Sequence, residues 1–352
     1  MKILIDIGHP GHIHLFRPFA KEMIKKGHRV LFTCRQKEFE IELLKAAGLD
    51  FVCLGKHYHS KIAKIWGLFK YDILLLQVAR AFKPDLFFSH GSFYAAHVAA
   101  LMKKHHIAME DTGNKEQMCL YLPFTKAVLM PDVLKCNVGN KGIYYKGYHE
   151  LAYLHPKRFT SLEKEGMDVF SEPYFIVRFV SLEATHDIGH KVLSLEDKRN
   201  IIRLLSSKGR VFISSEKKIP VEFEPYRLTI RPENLHHVLA HAYMVVSEGS
   251  TTAAEAAVLG RPVIYTSRQM ENTAELGKYG LCFCFHKDSQ GVIDKIEQWL
   301  AQEKLHQQME ENRVKMLMDK IDVTAFMVWF IENWPKSFEI MKKDPYYQLK
   351  FK

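Results

Sequence analysis

The sequence predicts an α/β protein built from two doubly wound parallel-sheet domains. Three observations carry that prediction. Strand-like apolar runs alternate with helical periodicity in both halves of the chain. A glycine turn follows the first strand, and a Gly/Ser/Thr turn precedes a short Ala-rich helix in the second half. The length of 352 residues suits two domains of ordinary size. Such alternation builds parallel sheets, which bind ligands at the C-terminal ends of their strands.

Composition narrows the function classes. A hydrophobic content of 47% is enough for two packed cores. There is no run of about 18 apolar residues, and Met1-Lys2 leads directly into Ile3-Leu4-Ile5-Asp6, so the chain reads as cytoplasmic and not membrane-spanning. Six cysteines without a C-x-x-C indicate neither disulfides nor a cysteine metal site. The formal charge of +10 predicts attraction to nucleotides, acidic glycans or lipid headgroups. Its spread along the chain argues against a dedicated nucleic-acid binder.

Residues 2–6 read as an apolar strand. Residues 8–14, Gly8-His9-Pro10-Gly11-His12-Ile13-His14, read as a turn feeding a helix over 15–26. Gly8, His9, Gly11 and His12 enter the substrate-binding set, with the imidazoles contacting phosphate or acceptor. A metal at His9, His12 and His14 is disfavoured, because no carboxylate or cysteine is spaced to complete the set. Strands follow at 28–34 and 51–54, separated by a helix over 38–47.

The helix over 61–82 places Ile62, Ile65, Trp66, Phe69, Ile73 and Leu76 within roughly a third of a turn, flanked by Lys61, Lys64 and Lys70. This reads as a helix packed on the sheet with solvated lysines, or as a membrane-surface or lipid-acceptor face. A strand over 84–89 ends in His90-Gly91-Ser92. Another over 107–110 runs into Asp111-Thr112-Gly113-Asn114, and 126–130 is the sixth. Glu110 and Asp111 thus stand at a strand end where a base belongs, although Asp111 also suits capping of a helix over 114–121.

The domain boundary is expected between 155 and 171, giving domains over 1–160 and 170–352. Helices near the C-terminus, about 323–334, are placed to pack back on the first domain, with a basic, frayed tail over 346–352. In the second half, a strand over 174–180 carries Arg178 near its end and leads to a polar turn holding His186 and Asp187. Arg178 suits a phosphate that gains charge. The His–Asp neighbours read equally as a base with its orienter or as an Asx turn.

The densest signal lies at 245–265. A buried strand leads to Gly249-Ser250-Thr251-Thr252, then to a helix stopped by Gly260 and a strand opened by Pro262. Unpaired helix-start N–H groups and hydroxyls make an anion site. Glu255, one turn on, can accept from a ribose. Thr252-x-x-Glu255 is also the pattern of a capping box.

Glu248-Gly249-Ser250-Thr251-Thr252-x-x-Glu255, with the glycine turn and two α/β halves, resembles the GT-B architecture of nucleotide-sugar glycosyltransferases and non-hydrolysing UDP-N-acetylglucosamine 2-epimerases. Ile3-Leu4-Ile5-Asp6-Ile7-Gly8-His9-Pro10, Arg178-Phe179 with Ala184-Thr185-His186-Asp187, and Gly147-Tyr148-His149-Glu150 resemble the family named domain of unknown function 354, over roughly residues 1–285. The GT-B resemblance implies two domains facing across a cleft, with Gly249, Ser250, Thr251 and Thr252 at a diphosphate and Glu255 at a ribose. The base candidates are Asp111, Glu110, His14 and His186. The expected activity is metal-independent transfer of a sugar, UDP-linked by default, to a cell-surface glycan or lipid-linked acceptor, with no cofactor and with peripheral membrane contact. Gly91-Ser92, where the epimerases have Gly-Asp, favours transfer over epimerisation. A non-catalytic nucleotide-sugar-binding protein is the third reading.

Overall fold

The computed structural model describes residues 1–56, 61–162, 172–179, 193–215 and 218–352, without the side chains of 61–66 and 68. The chain forms two compact units, Met1–Arg158 with Lys320–Lys352, and Phe159–Asp319. Residues 320–352, placed by sequence in a domain over 170–352, are therefore part of the first unit.

The first unit begins with β1 (Lys2–Ile7), α1 (Pro10–Lys25), β2 (Arg29–Gln36), α2 (Glu40–Ala47), β3 (Phe51–Lys56) and α3 (Lys61–Phe82). It continues through β4 (Leu86–His90), α4 (Phe93–Leu101), β5 (His105–Met109), α5 (Lys115–Tyr121), β6 (Ala127–Pro131), β7 (Gly142–Tyr145) and α6 (Leu151–Leu154). All seven strands are parallel, in the order β3-β2-β1-β4-β5-β6-β7. Ile3, Leu4, Ile5 and Ile7 of β1 are fully buried, as a central strand covered on both faces requires.

The second unit runs through β8 (Tyr174–Arg178), α7 (Leu195–Ser206), β9 (Arg210–Ser214), α8 (Leu235–His241), β10 (Met244–Ser247) and α9 (Ser250–Val258). It ends with β11 (Val263–Tyr265), α10 (Glu271–Lys278), β12 (Cys282–Cys284), α11 (Ser289–Leu300) and α12 (Leu305–Asp319). Its five strands are also parallel, in the order β12-β11-β10-β8-β9. The chain then returns to the first unit as α13 (Val323–Glu332) and α14 (Lys336–Lys343).

Three expectations change. The turn over 8–14 is only Gly8 and His9, because Pro10, with its fixed φ and no N–H, starts α1. The tail over 346–352 is not frayed. A 3-10 segment, Pro345–Phe351, sets Phe351 against Phe326 and Trp329, and buried Gln348 bonds Tyr144 and Lys146 backbone atoms. The basic excess is not spread along the chain. The first unit holds 30 Lys and Arg against 17 Asp and Glu, and the second 20 against 23.

In α3, Tyr71, Leu75 and Ala79 enter the core, whereas Phe69 and Ile73 of the predicted apolar stripe are exposed. The side chains of Ile62, Ile65 and Trp66 lie outside the described residues. Among the described residues, no helix is long and apolar enough to cross a membrane.

Candidate functional site

The sheet order sets β1, β4 and β5 side by side, so their C-terminal ends meet at one edge of the first unit. Beneath that edge lies Asp6, fully buried. It accepts from Thr33 Oγ1 (2.7 Å), from Arg35 Nη1 and Nη2 (both 3.0 Å) and from Ser92 Oγ (2.5 Å). Burying a carboxylate is costly unless its oxygens find donors in this way. Ser92 also accepts from Ala95 N and caps α4, so it is tied on both sides.

Above this base stand three groups from separate strand ends. His90 Nε2 donates to Asp111 Oδ1 at 2.8 Å, and His149 Nδ1 lies 3.0 Å from Asp111 Oδ2. The imidazoles are buried, at 9% and 7% side-chain exposure, while the carboxylate is 33% exposed. Burial alone would raise the Asp111 carboxyl, but the charges and hydrogen bonds of His149 and His90 outweigh it and hold it well below the usual carboxylate range. Burial pulls His90 down, yet the charge and hydrogen bond of Asp111 raise it above an ordinary histidine.

His12 stacks on His90, with centroids 4.3 Å apart, and its Nδ1 accepts from Gly8 N at 3.3 Å. Burial, with His90 and His9 nearby, pushes His12 well below its ordinary value, so it is neutral. His9 Nδ1 accepts from Gly11 N and caps α1. His14 is buried on α1 with its ring 5.6 Å from Tyr153.

Glu110 anchors a loop. Its Oε1 accepts from Thr112 N (2.9 Å), Thr112 Oγ1 (2.7 Å) and Gly113 N (3.1 Å), and its Oε2 from Tyr121 Oη (2.7 Å). Burial works against ionisation, but His90, Thr112 and Tyr121 keep the carboxyl below its ordinary value. The cap of α5 is Asn114, which accepts from Glu116 N and Gln117 N. Asp111 is thereby released from capping.

The ligand atoms of His90, Asp111 and His149 all lie within 4.8 Å of one another, which is the reach of a metal set. Metal-bound histidines normally donate their other ring N–H to an acceptor, and His149 Nε2 is buried without a partner among the described residues.

In the second unit, Arg178 ends β8 beside Ser247 of β10, and its Nη1 donates to Ser214 Oγ at 3.1 Å. Gly249 opens α9 without any side-chain cap, so no N-cap side chain satisfies the first-turn amides. Ser250 is half-buried and Thr251 exposed, but Thr252 is buried. Glu255 is buried too, and His236 Nε2 meets its Oε1 at 2.9 Å, so the capping-box pattern is not what holds this carboxylate. His186 and Asp187 lie outside the described residues.

Sequence reasoning passed over His90 and His149. His90 was legible, since it ends β4 next to the strand that delivers Asp111. His149 follows β7, two strands from β5, and only the tertiary fold brings it to Asp111.

The fold is shared with nucleotide-sugar enzymes. UDP-GlcNAc 2-epimerase from Neisseria meningitidis, bound to UDP-GlcNAc, superposes with a TM-score of 0.70 at 15% identity, covering 94% of this chain and 99% of that one. The S. aureus MnaA–UDP structure gives 0.70 at 15%, covering 96% and 97%. The glycosyltransferase SsfS6 from Streptomyces sp. SF2575 gives 0.57 at 14%, covering 95% and 100%. No curated protein matches the chain in sequence. With a family model matched over residues 1–329, the chain belongs to the family described as protein of unknown function (DUF354).

Proposed function

We propose that this protein is a metal-independent GT-B glycosyltransferase that moves a sugar from a nucleotide-sugar donor to a hydroxyl of a cell-surface glycan or lipid-linked acceptor. One observation carries the reading: Asp111 engages two buried imidazoles, one on each carboxylate oxygen. A carboxylate so placed orients imidazoles and stabilises the imidazolium formed when one takes a proton. The depressed Asp111 carboxyl is itself a poor base, and the oxygens of Glu110 are engaged with Thr112 and Gly113 of its loop and with Tyr121. His90 or His149 therefore takes the proton of the acceptor hydroxyl.

The acceptor oxygen bonds to the anomeric carbon as the bond to the diphosphate breaks, and the electron pair leaves with the nucleoside diphosphate. Arg178 and the α9 start, with Ser250 and Thr251, meet that charge. In this reading Glu255, bonded to His236, accepts from the ribose hydroxyls. The UDP and UDP-GlcNAc bound by structural relatives make uridine nucleotides the first probes.

The test begins with thermal shifts. A nucleotide at a hundred times its Kd stabilises by about 2.7 kcal/mol, and Glu255→Ala should abolish the ligand-induced shift whatever it does to the unliganded melting temperature. Asp111→Asn should lower kcat by roughly 10²–10⁴ with little change in donor KM. Conversion of the responsive nucleotide sugar without any acceptor would replace transfer with epimerisation.

A further inference from the structure

Helix α3 is apolar on two sides. Tyr71, Leu75 and Ala79 pack into the core with Phe87, Ala95 and Val98. Phe69 and Ile73, one turn apart on another face, are 67% and 57% exposed. A single exposed apolar residue needs no explanation, but this pair has neighbours from other elements.

His97 of α4 makes the connection. It bonds Asp72, next to Ile73, through Nδ1 at 3.0 Å, and donates from Nε2 to the Leu120 carbonyl at 3.3 Å. Its ring meets Phe124 edge-on at 5.0 Å. Leu120 and Phe124 are 45% and 42% exposed, and Leu101, one α4 turn beyond His97, is 68% exposed. Exposed cations stand around them: Lys70 beside Phe69, Arg80 on the Ile73 face, Lys103 and Lys104 after Leu101, and Lys126 after Phe124. The net positive charge of the chain falls in this unit.

We propose that this face of the first unit docks on an anionic lipid bilayer. Phe69, Ile73, Leu101, Leu120 and Phe124 enter the headgroup–acyl boundary, and the rim of lysines and Arg80 meets headgroup phosphates. The charge selects the occupant, since a second copy would set the same cations against themselves. The surface would hold the protein where a lipid-linked acceptor resides, but bilayer binding requires neither nucleotide nor Asp111, so this inference stands or falls apart from sugar transfer.

The experiment is flotation of the full chain with vesicles of phosphatidylcholine alone, and of three parts phosphatidylcholine to one part phosphatidylglycerol. The protein should float with the mixed vesicles, not with the neutral ones, and be released by high salt. Phe69→Ser with Ile73→Ser should lower the bound fraction at least about tenfold, as should Leu120→Ser with Phe124→Ser, with melting temperatures unchanged. Asp111→Asn should float like the wild type. Failure of the wild type to float, or undiminished binding by both double variants, overturns the proposal. So does a concentration-dependent dimer in sedimentation that Phe69→Ser with Ile73→Ser dissolves, which would give the face to a second copy.

Discussion

At the scale of single residues, Asp111 is set apart in the first unit by what surrounds it. Two imidazoles hold it ionised, and it in turn raises His90. Linkage fixes the pH window. A histidine raised in the fold contributes fully below its ordinary value of 6.5, and that contribution drains as pH rises through the folded value. A carboxyl depressed in the fold contributes above its ordinary value of 3.8 and is lost as pH falls through the lower folded value. The melting temperature of the wild type should therefore contain a component that declines above about pH 6.5. Asp111→Asn should remove it, which a series of melting curves from pH 6 to 9 would show. An unaltered pH dependence in that variant would detach His90 from Asp111.

At the scale of elements, the turn between β4 and α4 aims His90. Gly91 sits at φ +55°, and a Cβ there would lie 3.1 Å from the Tyr121 ring, 3.2 Å from Gln117 Nε2 and 3.4 Å from Glu110 Oε2. A left-handed position costs an L-residue about 1–2 kcal/mol, and the packed Tyr121 adds crowding. Gly91→Ala should thus lower stability by at least that amount in denaturant titration. It should also reduce kcat, because the same turn carries His90 and the Ser92 bonded to Asp6. Equal stability with full activity would show that the turn has room to give. In the second unit, the corresponding element is the start of α9, where Gly249 supplies no side-chain cap.

At the scale of the whole molecule, the C-terminal segment completes the first unit. Phe326, Met327, Phe330 and Ile331 of α13 are fully buried, Thr324 Oγ1 donates to Ala152 O at 2.7 Å, and Arg158 forks onto Asp322. Truncation after Asp319 should leave the first unit without a cooperative melting transition in calorimetry. Each large core side chain carries about 2–5 kcal/mol, and a domain has only about 5–15 kcal/mol in total. A truncated chain retaining that transition would show α13 to be dispensable.

The sequence by itself determined the two parallel-sheet α/β units, the family, and the Gly249–Glu255 stretch, because period, glycine turns and helix starts are written in neighbouring residues. Glu110 and Asp111 were legible as strand-end carboxylates, since a strand's end is a local property. What separates them was not. One has its oxygens taken by its own loop and by Tyr121, the other is clasped by His90 and His149, and these partners come from elements apart in sequence. Glu255 shows the same limit, for its sequence pattern suggested a cap while packing set it against His236. The parting of charge between the units also needed the fold, because residues 320–352 join the first unit through contacts made far away in sequence, buried Phe326 and the Arg158–Asp322 pair among them. Local pattern set which elements form, and long-range packing decided which side chains meet.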